Sequence, residues 1–161
     1  MMTHPGGNPE PAAVKIAPLD AMAALAFLDR EEARTLAALC VEKRFAADET
    51  VMAEGDPADW MAFVLAGKVA VKKSSLFPGR YTLLAELEPG GMVGEGGLVS
   101  GGERDLVVAA VTETRLLVLS RANFLRLCQE DQALALKLLT RIITVMRHRL
   151  HSAANRLSWI L

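Results

Sequence analysis

The sequence predicts a mainly β fold with flanking helices: a double-stranded, jelly-roll-like β-roll with an N-terminal helix and a long C-terminal helix. Three observations predict it. Apolar residues recur at helical spacing up to residue 39 and again from residue 121 to the end. Between residues 40 and 119 they form short runs of period two, or continuous runs, cut by turns rich in Gly, Pro and Asp. The 161-residue length suits one domain, and 52% hydrophobic against 23% charged residues places the chain among globular proteins.

Residues 1–17 carry Pro5, Gly6, Gly7, Pro9 and Pro11 with no hydrophobic period and read as a disordered tail. Ordered structure begins near Pro18. Asp29 with Glu32 three residues later is a capping-box pattern, and the helix over 30–39 sets Ala33, Leu36, Ala37 and Leu39 at helical spacing. Strands follow over 40–45 and 50–53 around a polar turn at 47–49, then over 60–65 after the turn Glu54-Gly55-Asp56-Pro57. Over 68–72, Val69 and Val71 alternate toward a core. Residues 74–80, with Pro78-Gly79, connect a hairpin to a strand in which Tyr81, Leu83, Ala85 and Leu87 alternate, and Glu88-Pro89-Gly90-Gly91 turns the chain again. The apolar runs 106–111 and 115–119 read as buried strands. Ser120 caps a helix carrying Ala122, Phe124, Leu125 and Cys128, and a second helix runs from near Asp131 to the end without a breaker. The expected division is therefore a tail (1–17), a β-roll with flanking helices (18–130), and a C-terminal dimerisation and lid helix (131–161).

On that last helix Leu139, Ile143, Met146, Leu150, Ala153, Leu157 and Ile160 repeat with alternating spacings of four and three, the seam of a helix that packs on a partner helix. A homodimer is expected, with Ala153 permitting close approach. The alternative is an amphipathic helix lying on its own domain. Lys137, Arg141, Arg147, Arg149 and Arg156 make this helix basic, either as a solvated face with favourable charge near a helix C-terminus or as a patch for an acidic partner.

Several function classes are disfavoured. A net charge of −1 gives no global attraction to nucleic acid or anionic membranes. Cys40 and Cys128 form no disulfide framework and read as buried, inert thiols of a cytoplasmic protein. No stretch approaches the roughly 20 apolar residues that cross a bilayer, and the apolar run 21–28 lacks the basic lead-in of a signal peptide. The chain has no nucleophile elbow, Walker loop, paired-carboxylate site or metal-ligand cluster, so it is not expected to be an enzyme. His148 and His151, at i and i+3, have no third ligand, and the strand region has no histidine at all, which argues against a metal-dependent cupin.

The most informative stretch runs from Gly94 to Arg104, where Gly94, Gly96, Gly97, Gly101 and Gly102 accompany Glu95 and Arg104. Glycine lets backbone N–H groups approach a phosphate, a carboxylate accepts from sugar hydroxyls, and a guanidinium is a fork for phosphate oxygens. A Gly-rich hairpin with a Glu–Arg ion pair and no ligand has the same composition.

The order Glu54-Gly55-Asp56-Pro57-Ala58-Asp59, Val64-Leu65-Ala66-Gly67, Leu87-Glu88-Pro89-Gly90, Gly94-Glu95, Arg104, Leu117-Val118-Leu119, Arg121 and Phe124 resembles the cyclic-nucleotide-binding domain of the catabolite-activator/FNR superfamily. The resemblance covers nearly everything outside the tail. It implies a signalling, regulatory module that holds a cyclic nucleotide (cAMP or cGMP) as its small-molecule ligand, with no metal. Carried over by position, Glu95 accepts from the ribose 2′-hydroxyl, Arg104 pairs with the cyclic phosphate, N–H groups around Gly96 and Gly97 assist, and Leu83 lines the pocket. The C-terminal helix covers the base and forms the dimer, with Arg149, Ala153 and Ala154 as the positions for that contact. The chain ends at Leu161, where transcription factors of the superfamily continue into a helix-turn-helix. A stand-alone form is expected, without direct DNA binding or membrane association, signalling to an effector protein; an effector domain lost from the chain is the alternative. Two departures stand out. Asp105 and Leu106 follow Arg104 where the family has a small residue, often Ser or Thr, and then Ala. Ala153 and Ala154 offer no hydrogen bond to a purine. Asp105 either pairs with Arg104 or faces solvent, and it favours the rival reading of a degenerate, non-binding member acting as a dimeric interaction scaffold.

Overall fold

A computed structural model describes residues 18–160; the expected tail over 1–17 lies outside the described residues. Helices α1 (Pro18–Ala24) and α2 (Arg30–Ala38) come first, and the capping box forms as read, Asp29 accepting from Glu32 N at 2.9 Å and Glu32 from Asp29 N at 3.0 Å. Strands β1 (Cys40–Phe45), β2 (Thr50–Met52), β3 (Trp60–Ala66), β4 (Val69–Ser74), β5 (Tyr81–Leu87) and β6 (Met92–Val93) lead to the short helix α3 (Glu95–Ser100). After β7 (Val107–Ala110) and β8 (Thr114–Ser120) the chain ends in α4 (Arg121–Glu130) and α5 (Gln132–Ser158). Ser120 and Asp131 cap the last two helices, accepting from Asn123 N and Leu134 N.

All strand pairs are antiparallel, in two four-stranded sheets ordered β1-β8-β3-β6 and β2-β7-β4-β5. Period-two alternation explains why β3 and β8 are apolar throughout. Met61, Phe63, Leu117 and Leu119 face a core shared with α1, α2, α4 and the start of α5. Ala62, Val64, Leu116 and Val118 face the space between the sheets, where Val51, Val69, Val93, Val108 and Ala110 meet them. In the second sheet β2 and β5 are the edge strands. Tyr81, Leu83 and Leu84 are exposed, whereas Leu87 at the other end of the strand packs against the inter-sheet core, and the pairing with β4 shifts register between Leu83 and Ala85.

The first half of α5 supplies its buried apolar contacts with the domain, through Leu134, Ala135, Leu138 and Ile142. At about 1.5 Å per residue the helix extends about 40 Å, and Ile143, Leu150, Leu157 and Ile160 beyond those contacts are exposed. No described helix is long and apolar enough to cross a membrane.

Candidate functional site

Gly94 joins β6 to α3. Its φ is 77°, and a Cβ there would meet Arg104 Nη1 at 2.8 Å and Trp60 O at 3.1 Å, so both backbone and space require glycine. Gly97 seats α3 on the β2–β3 turn, where a Cβ would come within 2.5 Å of Ala58 Cβ. At Gly96 an added Cβ would meet nothing within 4 Å, so this turn of α3 borders open space. The turn signal Glu54-Gly55-Asp56-Pro57 has a structural use: Gly55 N donates to Arg104 O (2.8 Å), Arg104 N to Asp56 O (2.7 Å) and Ala58 N to Gly102 O (2.8 Å). Two segments about 50 residues apart thereby fix the backbone on both sides of the Gly-rich stretch.

The space so framed is a cavity of about 410 Å³. Gly94, Glu95, Gly96, Gly97, Arg104 and Asp105 border it, Met52, Val71, Val93, Leu106 and Val108 supply apolar wall, and Met146 and Arg149 reach it from α5. Arg104 is 8% exposed. Its Nη1 donates to Gly94 O at 3.2 Å, its Nη2 donates to Trp60 O, and its guanidinium carbon lies 5.1 Å from the Trp60 ring centroid. Burial pulls its pKa down, opposed by the carboxylates of Asp59, Asp56 and Glu95.

Glu95, also 8% exposed, takes its charge partner from α5. Arg149 Nη1 donates to Glu95 Oε1 and its Nη2 to Met92 O, while Arg156, two turns further on, donates to Leu84 O at 3.2 Å. The distal half of α5 is thus tied to the roll through polar contacts at the cavity and at the edge strand. Asp105 is exposed on the rim; its backbone carbonyl accepts from Lys73 Nζ, which also pairs with Glu54 at 3.0 Å.

Three expected positions fall elsewhere. Leu83 is 53% exposed on edge strand β5 and does not line the cavity; Val71, on the neighbouring strand, does. Ala153 and Ala154 are exposed and also outside it, because α5 reaches the cavity one to two turns earlier, through Met146 and Arg149. Within the seam, Met146 borders the cavity and Leu139 packs on the domain's own core. Trp60 packs beside the inter-sheet core and sets its ring 5.1 Å from the Arg104 guanidinium carbon, without itself bordering the Gly-rich cavity. Its place directly after the acidic turn is the signal that was there to find.

Behind Trp60 lies a second cleft of about 610 Å³ at the open edge between β1 and β2, lined by Lys43, Phe45, Met52, Pro57, Trp60 and, again, Arg104. Cys40 Sγ donates to Leu36 O at 3.2 Å, and burial pushes this thiol up to about 12. Among the described residues no three His, Cys, Asp or Glu are grouped to hold a metal.

The family model of the cyclic nucleotide-binding domain matches residues 42–131, more than half of the chain. The chain is 29% identical over 113 residues to the cAMP-dependent protein kinase regulatory subunit of Dictyostelium discoideum, covering 68% of this chain and 34% of that protein. It is 37% identical over 81 residues to a cyclic nucleotide-gated potassium channel of Mesorhizobium japonicum, covering 50% of this chain and 21% of the channel. The matches span about a third and a fifth of these curated relatives. A solved cyclic nucleotide-binding domain from Methylobacillus flagellatus KT superposes with a TM-score of 0.80 at 24% identity, over 87% of this chain and 83% of that one, a likeness of fold.

Proposed function

The chain belongs to the cyclic nucleotide-binding domain family, and from that premise we propose that it is a cytoplasmic, non-catalytic sensor that binds a cyclic nucleotide beside α3 and reports it through α5. One observation carries the reading: Gly96, Gly97, Glu95 and Arg104 border a single cavity that α5 enters with Arg149. Arg104 directs to the cyclic phosphate the N–H groups not spent on the Gly94 and Trp60 carbonyls, and N–H groups at Gly96 and Gly97 add to it. Glu95 accepts from the ribose 2′-hydroxyl. That carboxylate is the one Arg149 holds, so a ligand that engages it changes what fastens α5 to the roll. This is the differential contact a switch requires. Ile143, Leu150, Leu157 and Ile160 then form the homodimer seam, and the output passes to an effector protein.

The scaffold reading draws on Asp105 at the rim and on Glu95 being already paired with Arg149. Titration with cyclic AMP, cyclic GMP and their 2′-deoxy analogues separates the two. A sensor of this design binds the deoxy analogue about tenfold or more weakly, since a hydrogen bond to a charged group is worth about 1.5 to 3 kcal/mol, and Glu95→Gln reduces that discrimination. Failure of all four ligands to bind supports the scaffold.

A further inference from the structure

We infer that Trp60 is a positioning residue for the phosphate-binding guanidinium: its indole, which lines the cleft behind the Gly-rich cavity and not that cavity itself, is the wall against which Arg104 is held. The inference rests on the cyclic-nucleotide reading of that cavity and adds a residue to it. Arg104 borders both spaces, about 410 Å³ on the α3 side and about 610 Å³ on the β1–β2 side. A guanidinium on a flexible stem has no intrinsic preference between two such cavities. Three contacts decide for it: the Gly94 carbonyl at 3.2 Å, the Trp60 carbonyl, and the indole ring 5.1 Å away.

The two carbonyls belong to the backbone and survive any substitution at residue 60, so a change there isolates the ring. Without the ring, the guanidinium loses its flat wall and its cation–π contact, and the larger cleft lies open to it. Lys43 Nζ stands 5.0 Å from the same ring centroid and has the same attraction to the indole. The indole therefore gathers two cations at one aromatic ring, and of the two only Arg104 also borders the Gly-rich cavity. With two of its five N–H groups on carbonyls, Arg104 has three left for a ligand, and their direction is what Trp60 fixes.

The test uses the full chain, calorimetric titration with cyclic AMP and cyclic GMP, and the variants Trp60→Phe and Trp60→Leu. A second arm follows tryptophan emission in Trp159→Phe, which leaves Trp60 as the sole tryptophan; Trp159 is 90% exposed. Trp60→Leu should bind about tenfold more weakly, and Trp60→Phe, which keeps an aromatic face, within about threefold of the parent. Trp60 emission should shift saturably, with the calorimetric midpoint, as phosphate draws on Arg104. Trp60 also packs beside the inter-sheet core. Should the leucine variant fail to fold, the phenylalanine variant and the emission arm decide. A leucine variant that binds within twofold of the parent, or Trp60 emission that stays fixed at saturation, overturns the positioning role and leaves the site reading intact. No binding by the parent chain removes both.

Discussion

Asp105→Asn should tighten nucleotide binding. The charged side chains around the cavity are Glu95, Glu103 and Asp105 against Arg104 and Arg149, one carboxylate in excess before any anionic ligand arrives. A cyclic phosphate about 5 Å from the Asp105 carboxylate would meet a repulsion of about 1 kcal/mol at the dielectric of water and about 3 kcal/mol at an effective value of 20. Asp105 is exposed and Lys73 anchors its backbone, so water reaches the carboxylate and the lower end applies. About 1 kcal/mol is roughly fivefold in affinity. Asparagine keeps the volume and removes the charge, so the gain is electrostatic and must be screened. Calorimetry with cyclic AMP should show about fivefold tighter binding by the variant at 0.1 M salt, shrinking toward parity at 1 M, as the Debye length falls from about 10 to about 3 Å. Equal affinities at low salt, or weaker binding by the variant, would refute this reasoning.

Other perturbations test other links. Glu42, buried between Arg115 and Arg44, has its pKa lowered chiefly by the Arg115 hydrogen bond, so its stabilisation is full above the ordinary carboxylate range and is lost as pH falls through the lowered value. Glu42→Gln should cost about 2 kcal/mol at pH 7, the worth of a hydrogen bond to a charged group, and the gap between urea midpoints should narrow below about pH 4. Gly97→Ala should destabilise by about 1 to 3 kcal/mol through overpacking on Ala58. Gly96→Ala, which meets nothing, should leave the melting temperature unchanged or raised while weakening nucleotide binding at least about tenfold. For the proposed homodimer, Leu150→Glu, at a residue 72% exposed in the single chain, should leave only monomer in sedimentation with little loss of monomer stability, and an unchanged dimer would count against the seam.

Much of the fold was legible because period and punctuation are local. The Asp29–Glu32 box, the Ser120 cap and the apolar runs of β3 and β8 lie in short stretches of sequence. What escaped was decided by distant packing. Helix α3 contains two glycines, each costing about 1 kcal/mol in a helix, and is held by fully buried Leu98 and by Gly97 against Ala58. Strand β6 has two residues, too few for a period. Alternation in β5 groups Leu83 with its neighbours, yet says nothing of whether a second layer covers that face. The same limit governs the site. Glu95 and Arg104 stand out beside their glycines, and the resemblance supplied their roles. The pairing of Glu95 with Arg149 spans 54 positions, and the Arg104–Trp60 contact spans 44. No local spacing carries either.

The most direct measurement is calorimetric titration of the purified chain with cyclic AMP and cyclic GMP beside Arg104→Ala and Arg104→Lys, each checked for folding by thermal unfolding. Saturable binding at about micromolar ligand is expected, lost with alanine and strongly weakened with lysine, which keeps the charge but not the fork. Absence of heat and of thermal stabilisation at millimolar ligand, or binding that survives in a folded Arg104→Ala, would contradict this expectation.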